Sequence, residues 1–431
     1  MFNTTGAPKE TRPSRGFWPP FDTTLGILLT RAPMRGRVKG LVMLLLSGAL
    51  SGVAFIYLAS QRWRALDAET VLFTVTYTQW ATLGVTLAKL GLDTYLFALV
   101  TGDPRIRLDL NSFLMRYSAP ISFAVGLALI PLFGLVPALL LSVTVLSDSA
   151  SALFTSQMTA LRQYSFPAVA SLLKYPAFFV LLLVLSFVMT LHALPVAAAL
   201  CVGSILRFVY LATRRLPPGE RNLTYKPSFW IAVHHPLNLI LFKADQLMLP
   251  LVGASALSIQ FQQYAYLTKW PELVAGLTSS VGIVFLPVLY RKFTELSWPL
   301  LRHNWIKVVL VVYAAGAYAT TLTYCLGFKG APPIGLALPF SVSVALLPLV
   351  NLGTYALLRQ SHLRGLIRNL TLSLLCGLLV CGIAGYTGSA FVLSFAVPIQ
   401  LTVFLILLLG LPSGTPTYSY AVVETSNDQA V

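Results

Sequence analysis

The sequence predicts an all-α polytopic membrane protein with about 12 transmembrane helices in two pseudo-symmetric six-helix lobes. Three observations lead to this prediction: the composition, the lengths of the apolar runs and the placement of the basic residues. Of the 431 residues, 56% are hydrophobic and only 10% are charged. A soluble domain carries about 25% charged residues, so this composition excludes a soluble domain of normal size.

The apolar runs are long enough to cross a bilayer, since about 20 apolar residues span a hydrocarbon core of about 30 Å. The first run follows 38 mostly polar residues and is interpreted as a retained helix rather than a cleaved signal peptide. The predicted spans are residues 39–60, 71–100, 113–133, 136–157, 168–190, 192–213, 229–252, 259–289, 305–327, 334–357, 366–386 and 390–411.

The net charge of +16 is explained by topology rather than by a nucleic-acid partner. Of the 30 Lys and Arg residues, 24 lie in the N-terminal arm and the even-numbered connections. Only Arg62, Arg64 and Lys329 lie on the other side. Because basic residues concentrate in cytoplasmic loops, both termini are predicted to be cytoplasmic and the number of spans to be even.

The chain divides near its middle. Residues 1–38 are predicted to form a basic cytoplasmic or interfacial arm, 39–213 the N-lobe, 214–228 a cytoplasmic linker, 229–411 the C-lobe and 412–431 a cytoplasmic tail. Pro217, Pro218 and Gly219 mark the linker. A 6+6 division is typical of secondary transporters, whose halves rock around a site near the bilayer midplane.

Three lysines fall inside predicted spans, where a charge needs a partner, water or a function. Lys89, Lys243 and Lys269 are candidate ligands for an anionic substrate headgroup such as pyrophosphate. Lys89 and Asp93 are four residues apart and are predicted to lie on one helix face, either as a structural ion pair or as a site that Asp93 neutralises when empty.

The remaining intramembrane carboxylates are candidates for ion coupling. Asp245 is two residues from Lys243, so the two side chains are predicted to point in nearly opposite directions and to find separate partners. Glu272 is three residues from Lys269 and can pair with it. Asp148 lies among serines, which predicts either a satisfied structural carboxylate or one that is protonated and coupled to transport.

Two prolines are predicted to bend helices that gate transport: Pro236 in the seventh span and Pro271 in the eighth. His234 and His235 precede Pro236, but nothing nearby completes a metal site. Three basic residues near the cytoplasmic ends of their predicted spans are interpreted as snorkelling side chains: Lys174, Arg207 and Arg116.

No nucleotide-binding, metalloprotease, serine-hydrolase or DxD motif occurs in the chain. The sequence therefore predicts neither an enzyme nor an ATP-driven pump, and no metal or cofactor beyond a coupling H⁺ or Na⁺. The short outer connections also disfavour the alternative of a membrane glycan polymerase or glycosyltransferase, which needs a long outer loop with catalytic residues.

The segment around Leu90-Gly91-Leu92-Asp93-Thr94 resembles the second span of polysaccharide flippases, the O-antigen or lipid-linked oligosaccharide translocases of the multidrug/oligosaccharidyl-lipid/polysaccharide superfamily. Residues 241–293 resemble the seventh and eighth spans of that family, with Asp245 before a short turn and Leu286-Pro287 ending a long helix. The 6+6 layout over residues 39–411 fits as well.

This resemblance implies a central cationic cavity and export of an undecaprenyl-pyrophosphate-linked oligosaccharide from the cytoplasmic to the periplasmic leaflet. It implies alternating access coupled to an ion gradient, a location in the bacterial cytoplasmic membrane, and polysaccharide polymerase or chain-length proteins as partners. The alternative within the superfamily is an H⁺- or Na⁺-coupled antiporter for drugs or metabolites. Lys89 and Lys243 argue against a lipophilic cation as the substrate.

Overall fold

The computed structural model describes residues 68–93, 106–161, 165–189, 191–214, 221–223, 229–249 and 363–409, together with isolated residues between them. Its elements in the N-terminal half are α1 (Ala68–Lys89), β1 (Ile106–Leu108), α2 (Leu110–Phe113), a π-helix (Leu114–Ser118), α3 (Ala119–Ala128), α4 (Ile130–Phe133), α5 (Leu135–Ala160), α6 (Ser165–Val188) and α7 (Ala193–Ala212). Its elements in the C-terminal half are α8 (Phe229–Met248), α9 (Leu363–Thr387), α10 (Ala390–Leu393) and α11 (Ala396–Leu409), with β2 (Arg221–Leu223) before them.

Five segments of the described chain are long and apolar enough to cross a membrane: Leu135–Ala160, Ser165–Val188, Ala193–Ala212, Arg364–Thr387 and Ala390–Leu408. Helices α1 and α8 have 22 and 20 residues but fall outside this set, because threonine, glutamine, histidine and lysine side chains interrupt their apolar surfaces. Helices α1 and α8 pack against each other, one from each half of the chain.

The second predicted span is not one continuous helix. Helix α1 ends at Lys89, and Leu90 and Gly91 have φ values of 49° and 71° in the left-handed region. This conformation is strained for a leucine and easy for a glycine. Helical structure resumes at Leu92, so the break falls within the predicted membrane span, a position where broken helices in transporters surround a binding site.

The third predicted span is also irregular, because a π-helix joins α2 to α3. The Ser118 hydroxyl in this π-helix donates a hydrogen bond of 2.9 Å to the carbonyl oxygen of Ala88, next to the break in α1. Asp109 caps α2 by accepting a hydrogen bond from the Ser112 backbone N–H, 3.2 Å away. That bond and a bond from the Ser112 hydroxyl lower the pKa of the Asp109 carboxyl.

A short parallel pair of strands joins two connections that the sequence analysis treats as irregular. Ile106 pairs with Arg221, Arg107 with Asn222 and Leu108 with Leu223. The connection after α1 and the predicted linker thus lie together on one face of the molecule. Three residues per strand give too little alternation to be recognised as strands in the sequence.

Helices approach each other closely at two glycines that lie at helix crossings. A β-carbon at Gly126 in α3 would contact the Ser142 hydroxyl and come within 2.8 Å of the Ala138 carbonyl oxygen in α5. At Gly203 in α7, it would come within 2.8 Å of the Lys174 carbonyl oxygen in α6. Small residues at such crossings are a common feature of packed membrane helices.

Gly126→Val is expected to destabilise the protein by about 1–3 kcal/mol, because the backbone of α5 must move to admit the side chain. The control is Gly382→Val in α9, where a β-carbon would meet nothing within 4 Å. Thermal unfolding of both purified variants checks this expectation. Equal melting temperatures for the two variants would contradict the close approach of α3 and α5.

Candidate functional site

Helices α1 and α8 form an interface between the two halves of the chain, and Lys243 crosses it. The Lys243 ammonium donates a hydrogen bond of 2.5 Å to the side-chain oxygen of Gln79 in α1. Gln79 is buried, with only 2% of its surface exposed. A lysine of one half of the chain is therefore hydrogen-bonded to a neutral amide of the other half.

Further along the same interface, Lys89 and Asp93 form the ion pair that their spacing predicts. The Lys89 ammonium lies 2.6 Å from an Asp93 carboxylate oxygen, and both side chains are largely buried. The pair bridges the break at Leu90 and Gly91. His235 of α8 lies within electrostatic range of both charges, so this second charged group also lies where the two halves of the chain meet.

Asp245 has a partner other than that of Lys243, as the spacing of two residues predicts. The Tyr264 hydroxyl donates a hydrogen bond to the Asp245 carboxylate, and both residues are at least 97% buried. Cys381 in α9 lies within electrostatic range of the carboxylate. Two side chains of α8 thus have partners in different halves of the chain. Lys243 contacts Gln79 in the N-terminal half, and Asp245 contacts Tyr264 in the C-terminal half.

Asp148 is not the isolated carboxylate that its serine neighbours suggest. The Lys174 ammonium in α6 lies 2.6 Å from one Asp148 oxygen, and an Arg207 guanidinium nitrogen in α7 lies 3.8 Å from the other. The Ser204 hydroxyl in α7 donates a hydrogen bond of 3.1 Å to the carboxylate. The interpretation of Lys174 and Arg207 as snorkelling side chains is therefore wrong for both residues.

Lys174 is enclosed on its other sides as well. Its ammonium donates a hydrogen bond of 3.2 Å to the Tyr175 hydroxyl and lies 4.3 Å from the centre of the Tyr175 ring. Lys243 is in turn within electrostatic range of Tyr175. The cluster inside the N-terminal half is therefore close to the α1–α8 interface. Arg116, the third residue interpreted as snorkelling, lies over the Tyr117 ring at 5.5 Å.

Pro236 lies inside α8 and is buried, and the helix continues through it from Phe229 to Met248. The His234 ring contacts the His235 ring edge to face, with the centroids 5.2 Å apart. Among the described residues, no three His, Cys, Asp or Glu side chains are arranged to hold a metal ion. Lys269, Glu272 and Pro271 lie outside the described residues.

Gln79, Tyr264 and Ser204 are site residues that the sequence pattern alone does not predict. Gln79 has a signal in retrospect: Thr76, Gln79, Thr86 and Lys89 follow one another at spacings that place them on one polar face of α1. Tyr264 and Ser204 have none, because tyrosine and serine are common in membrane helices and only tertiary contacts distinguish these two.

Comparison with known proteins gives a fold but no family. No family model matches the chain, and no curated protein matches it. Among solved structures, the chain is similar to the crystal structure of the eukaryotic MATE transporter AtDTX14. The TM-score is 0.51 at 16% sequence identity, and the match covers 87% of this chain and 94% of the transporter.

An identity of 16% shows the fold alone. The chain is a multi-pass membrane protein with a helical fold like that of this MATE transporter. The described helices that carry the buried charges occur in both halves, and their charged side chains meet at or near the α1–α8 interface.

Proposed function

We propose that the chain is a secondary transporter that exports an anionic, lipid-linked oligosaccharide by alternating access. The observation that carries this proposal is the Lys243–Gln79 hydrogen bond across the α1–α8 interface, with Lys89 and His235 further along it. A lysine ammonium at an interface between two halves suits an anionic headgroup, and movement of the halves would break and remake the contacts across it. The transporter fold supports the same class of function.

The undecaprenyl-pyrophosphate linkage comes from the resemblance to polysaccharide flippases. Lysine ammonium groups are common phosphate ligands, and the substrate would also contact Lys269 if the eighth span lines the same cavity. The location would be the bacterial cytoplasmic membrane, with both termini in the cytoplasm, because basic residues cluster on one side of the predicted topology. Polysaccharide polymerase and chain-length proteins would act on the exported unit.

Coupling to H⁺ or Na⁺ would use the buried carboxylates. Asp93 and Asp245 are the candidates on or next to the interface helices, and Asp148 lies in the neighbouring cluster. Glu272 remains a prediction from the sequence. Because each described carboxylate already has a cationic or hydroxyl partner, an ion or proton would have to compete with that partner during the cycle.

The second candidate function is an H⁺- or Na⁺-coupled antiporter. The contact that favours it is the deeply buried Asp245–Tyr264 pair, since a carboxylate in such a place suits exchange of one cation for another. The fold of the MATE transporter is equally compatible with this candidate. The two candidates differ in which molecule accumulates when the protein is absent.

Deletion of the gene in its own host, followed by extraction of lipid-linked sugars, is expected to show accumulation of an undecaprenyl-pyrophosphate repeat unit and loss of surface polysaccharide. Wild-type protein would restore the polysaccharide. Lys243→Gln is expected to restore at least about tenfold less surface polysaccharide than wild type, because a hydrogen bond to a charged group contributes about 1.5–3 kcal/mol.

Arg214→Gln is the matched control, since Arg214 is exposed just beyond the end of α7. It is expected to restore surface polysaccharide fully at equal expression. Unchanged surface polysaccharide in the deletion strain, with altered tolerance to toxic cations, would reject the flippase and favour the antiporter. Full activity of Lys243→Gln would remove the lysine from the site.

A further inference from the structure

The buried cluster of Asp148, Lys174, Arg207 and Ser204 has more positive than negative charge. One carboxylate faces two cations, and all three ionic side chains are at least 82% buried. The Tyr175 hydroxyl lies beside Lys174, and the next cation, Lys243, adds positive potential from the other half of the chain. A net charge inside a membrane protein is costly unless another charge or water neutralises it.

Arg207 is the group whose charge is not satisfied. Its closest nitrogen is 3.8 Å from Asp148, which is an ion-pair distance but too long for a hydrogen bond. Within the described part of the chain, the buried Arg207 Nε has no hydrogen-bond partner, and neither does the Asp148 oxygen nearest to the guanidinium. Lys174 and Ser204, by contrast, bond directly to the opposite Asp148 oxygen.

The cluster is accessible from one end of α7. Arg207 lies five residues before Ala212, the last residue of that helix, which is a distance of about 7.5 Å at 1.5 Å per residue. Its side chain is 18% exposed, whereas that of Asp148 is 3% exposed. The exposed end of the cluster therefore faces the side on which the sequence predicts the cytoplasm.

The surrounding helices leave little space. Gly203 permits such a close approach of α6 and α7 that a β-carbon there would lie 2.8 Å from the Lys174 carbonyl oxygen. Ser204 follows Gly203 and faces the Asp148 carboxylate. A ligand of this cluster must therefore be small, and an uncompensated charge of one unit calls for a single negative charge.

We propose that Arg207, at the end of the cluster that Asp148, Lys174 and Ser204 complete, binds one small monovalent anion, such as chloride, that enters from the end of α7. The anion contacts the part of the Arg207 guanidinium that is exposed at this end of the cluster. Arg207 then lies between two negative groups, the anion and Asp148, and the cluster becomes neutral. This site is separate from the Lys243–Gln79 contact and does not depend on the transported molecule.

The test measures thermal unfolding of the full-length protein, purified in lipid nanodiscs, at constant sodium concentration and ionic strength. Sodium gluconate is replaced stepwise by sodium chloride, because gluconate is too large for the cluster. Wild-type protein is expected to show a saturable rise in melting temperature, since a ligand that binds only the folded state stabilises it. The expected result for Arg207→Gln is loss of this rise.

Two further variants separate binding from a general effect on folding. Arg214→Gln, at the exposed end of the same helix, is expected to keep the full chloride response. Asp148→Asn is expected to melt lower than wild type in gluconate and to gain more from chloride, because the cluster then has two uncompensated cations. The two cluster variants therefore change the chloride response in opposite directions, which an unfolded or damaged protein would not do.

A wild-type melting temperature that is the same in chloride and gluconate would overturn the proposal. An equal chloride response in wild-type protein and Arg207→Gln would also overturn it, because the effect would then arise elsewhere. If Arg207→Gln does not fold, Lys174→Gln provides the same test, since it also leaves one cation opposite Asp148 and is expected to lose the response.

Discussion

Asp148→Leu is expected to lower the free energy of unfolding by about 3–5 kcal/mol, because it leaves two buried cations without their carboxylate. Lys174 would lose a partner at 2.6 Å and Arg207 one at 3.8 Å. Ser204 would lose its hydrogen-bond acceptor as well. Thermal and denaturant unfolding in gluconate, where no small anion compensates the cations, measures the loss.

The control is Glu69→Leu, which removes an exposed carboxylate from the first turn of α1. Its expected cost is about 0.3–1 kcal/mol, the usual contribution of an acidic residue at a helix N-terminus. The triple variant Asp148→Leu, Lys174→Met, Arg207→Leu is expected to recover most of the lost stability, because apolar replacement of a complete buried ion cluster is often neutral. A single Asp148→Leu variant as stable as Glu69→Leu would show that the cluster is not held by its carboxylate.

A reversible cross-link between positions 79 and 243 is expected to reduce to background the transport that the uncoupled double variant retains. The Lys243 ammonium and the Gln79 oxygen are 2.5 Å apart and belong to different halves of the chain. Gln79→Cys with Lys243→Cys, in a chain whose four natural cysteines are replaced by alanine, would be joined by a bifunctional reagent that contains a disulfide. If transport requires separation of α1 and α8, the cross-link prevents transport. Reduction of the disulfide in the reagent then restores the activity that the uncoupled double variant has.

The matched control joins two helices of the same half. The Asn369 side chain in α9 donates a hydrogen bond of 3.1 Å to the Leu407 carbonyl oxygen in α11, so cysteines at these two positions are also close. Cross-linking this pair is expected to leave transport unchanged. Full transport by the 79–243 cross-linked protein would contradict alternating access at the α1–α8 interface.

Local spacing predicted some of the side-chain contacts correctly. Lys89 and Asp93 pair because residues four apart share a helix face, and the contact survives the break at Leu90 and Gly91. Lys243 and Asp245 take separate partners because residues two apart point in different directions. The helical membrane fold was also predictable, since hydropathy and charge placement indicate a multi-pass membrane protein before any tertiary contact is known.

Contacts between distant residues could not be predicted in the same way. Asp148 meets Ser204 across 56 residues of sequence, and neither helix shows in its own pattern which neighbour it will face. Lys174 and Arg207 lie near helix ends, where snorkelling is the usual outcome, and only the packing of α5, α6 and α7 brings them to one carboxylate. The break in α1 and the π-helix after α2 are also set by tertiary contacts such as Ser118 to Ala88.

The pairing of β1 with β2 sets a limit on how far the two halves can move apart on that face. It anchors the chain at Leu223, and only residues 224–228 separate this point from Phe229 at the start of α8. Since an extended chain spans at most about 3.3–3.6 Å per residue, the tether reaches about 20 Å. The linker therefore limits the distance between β2 and the start of α8, and insertion of residues between 223 and 229 would increase that distance.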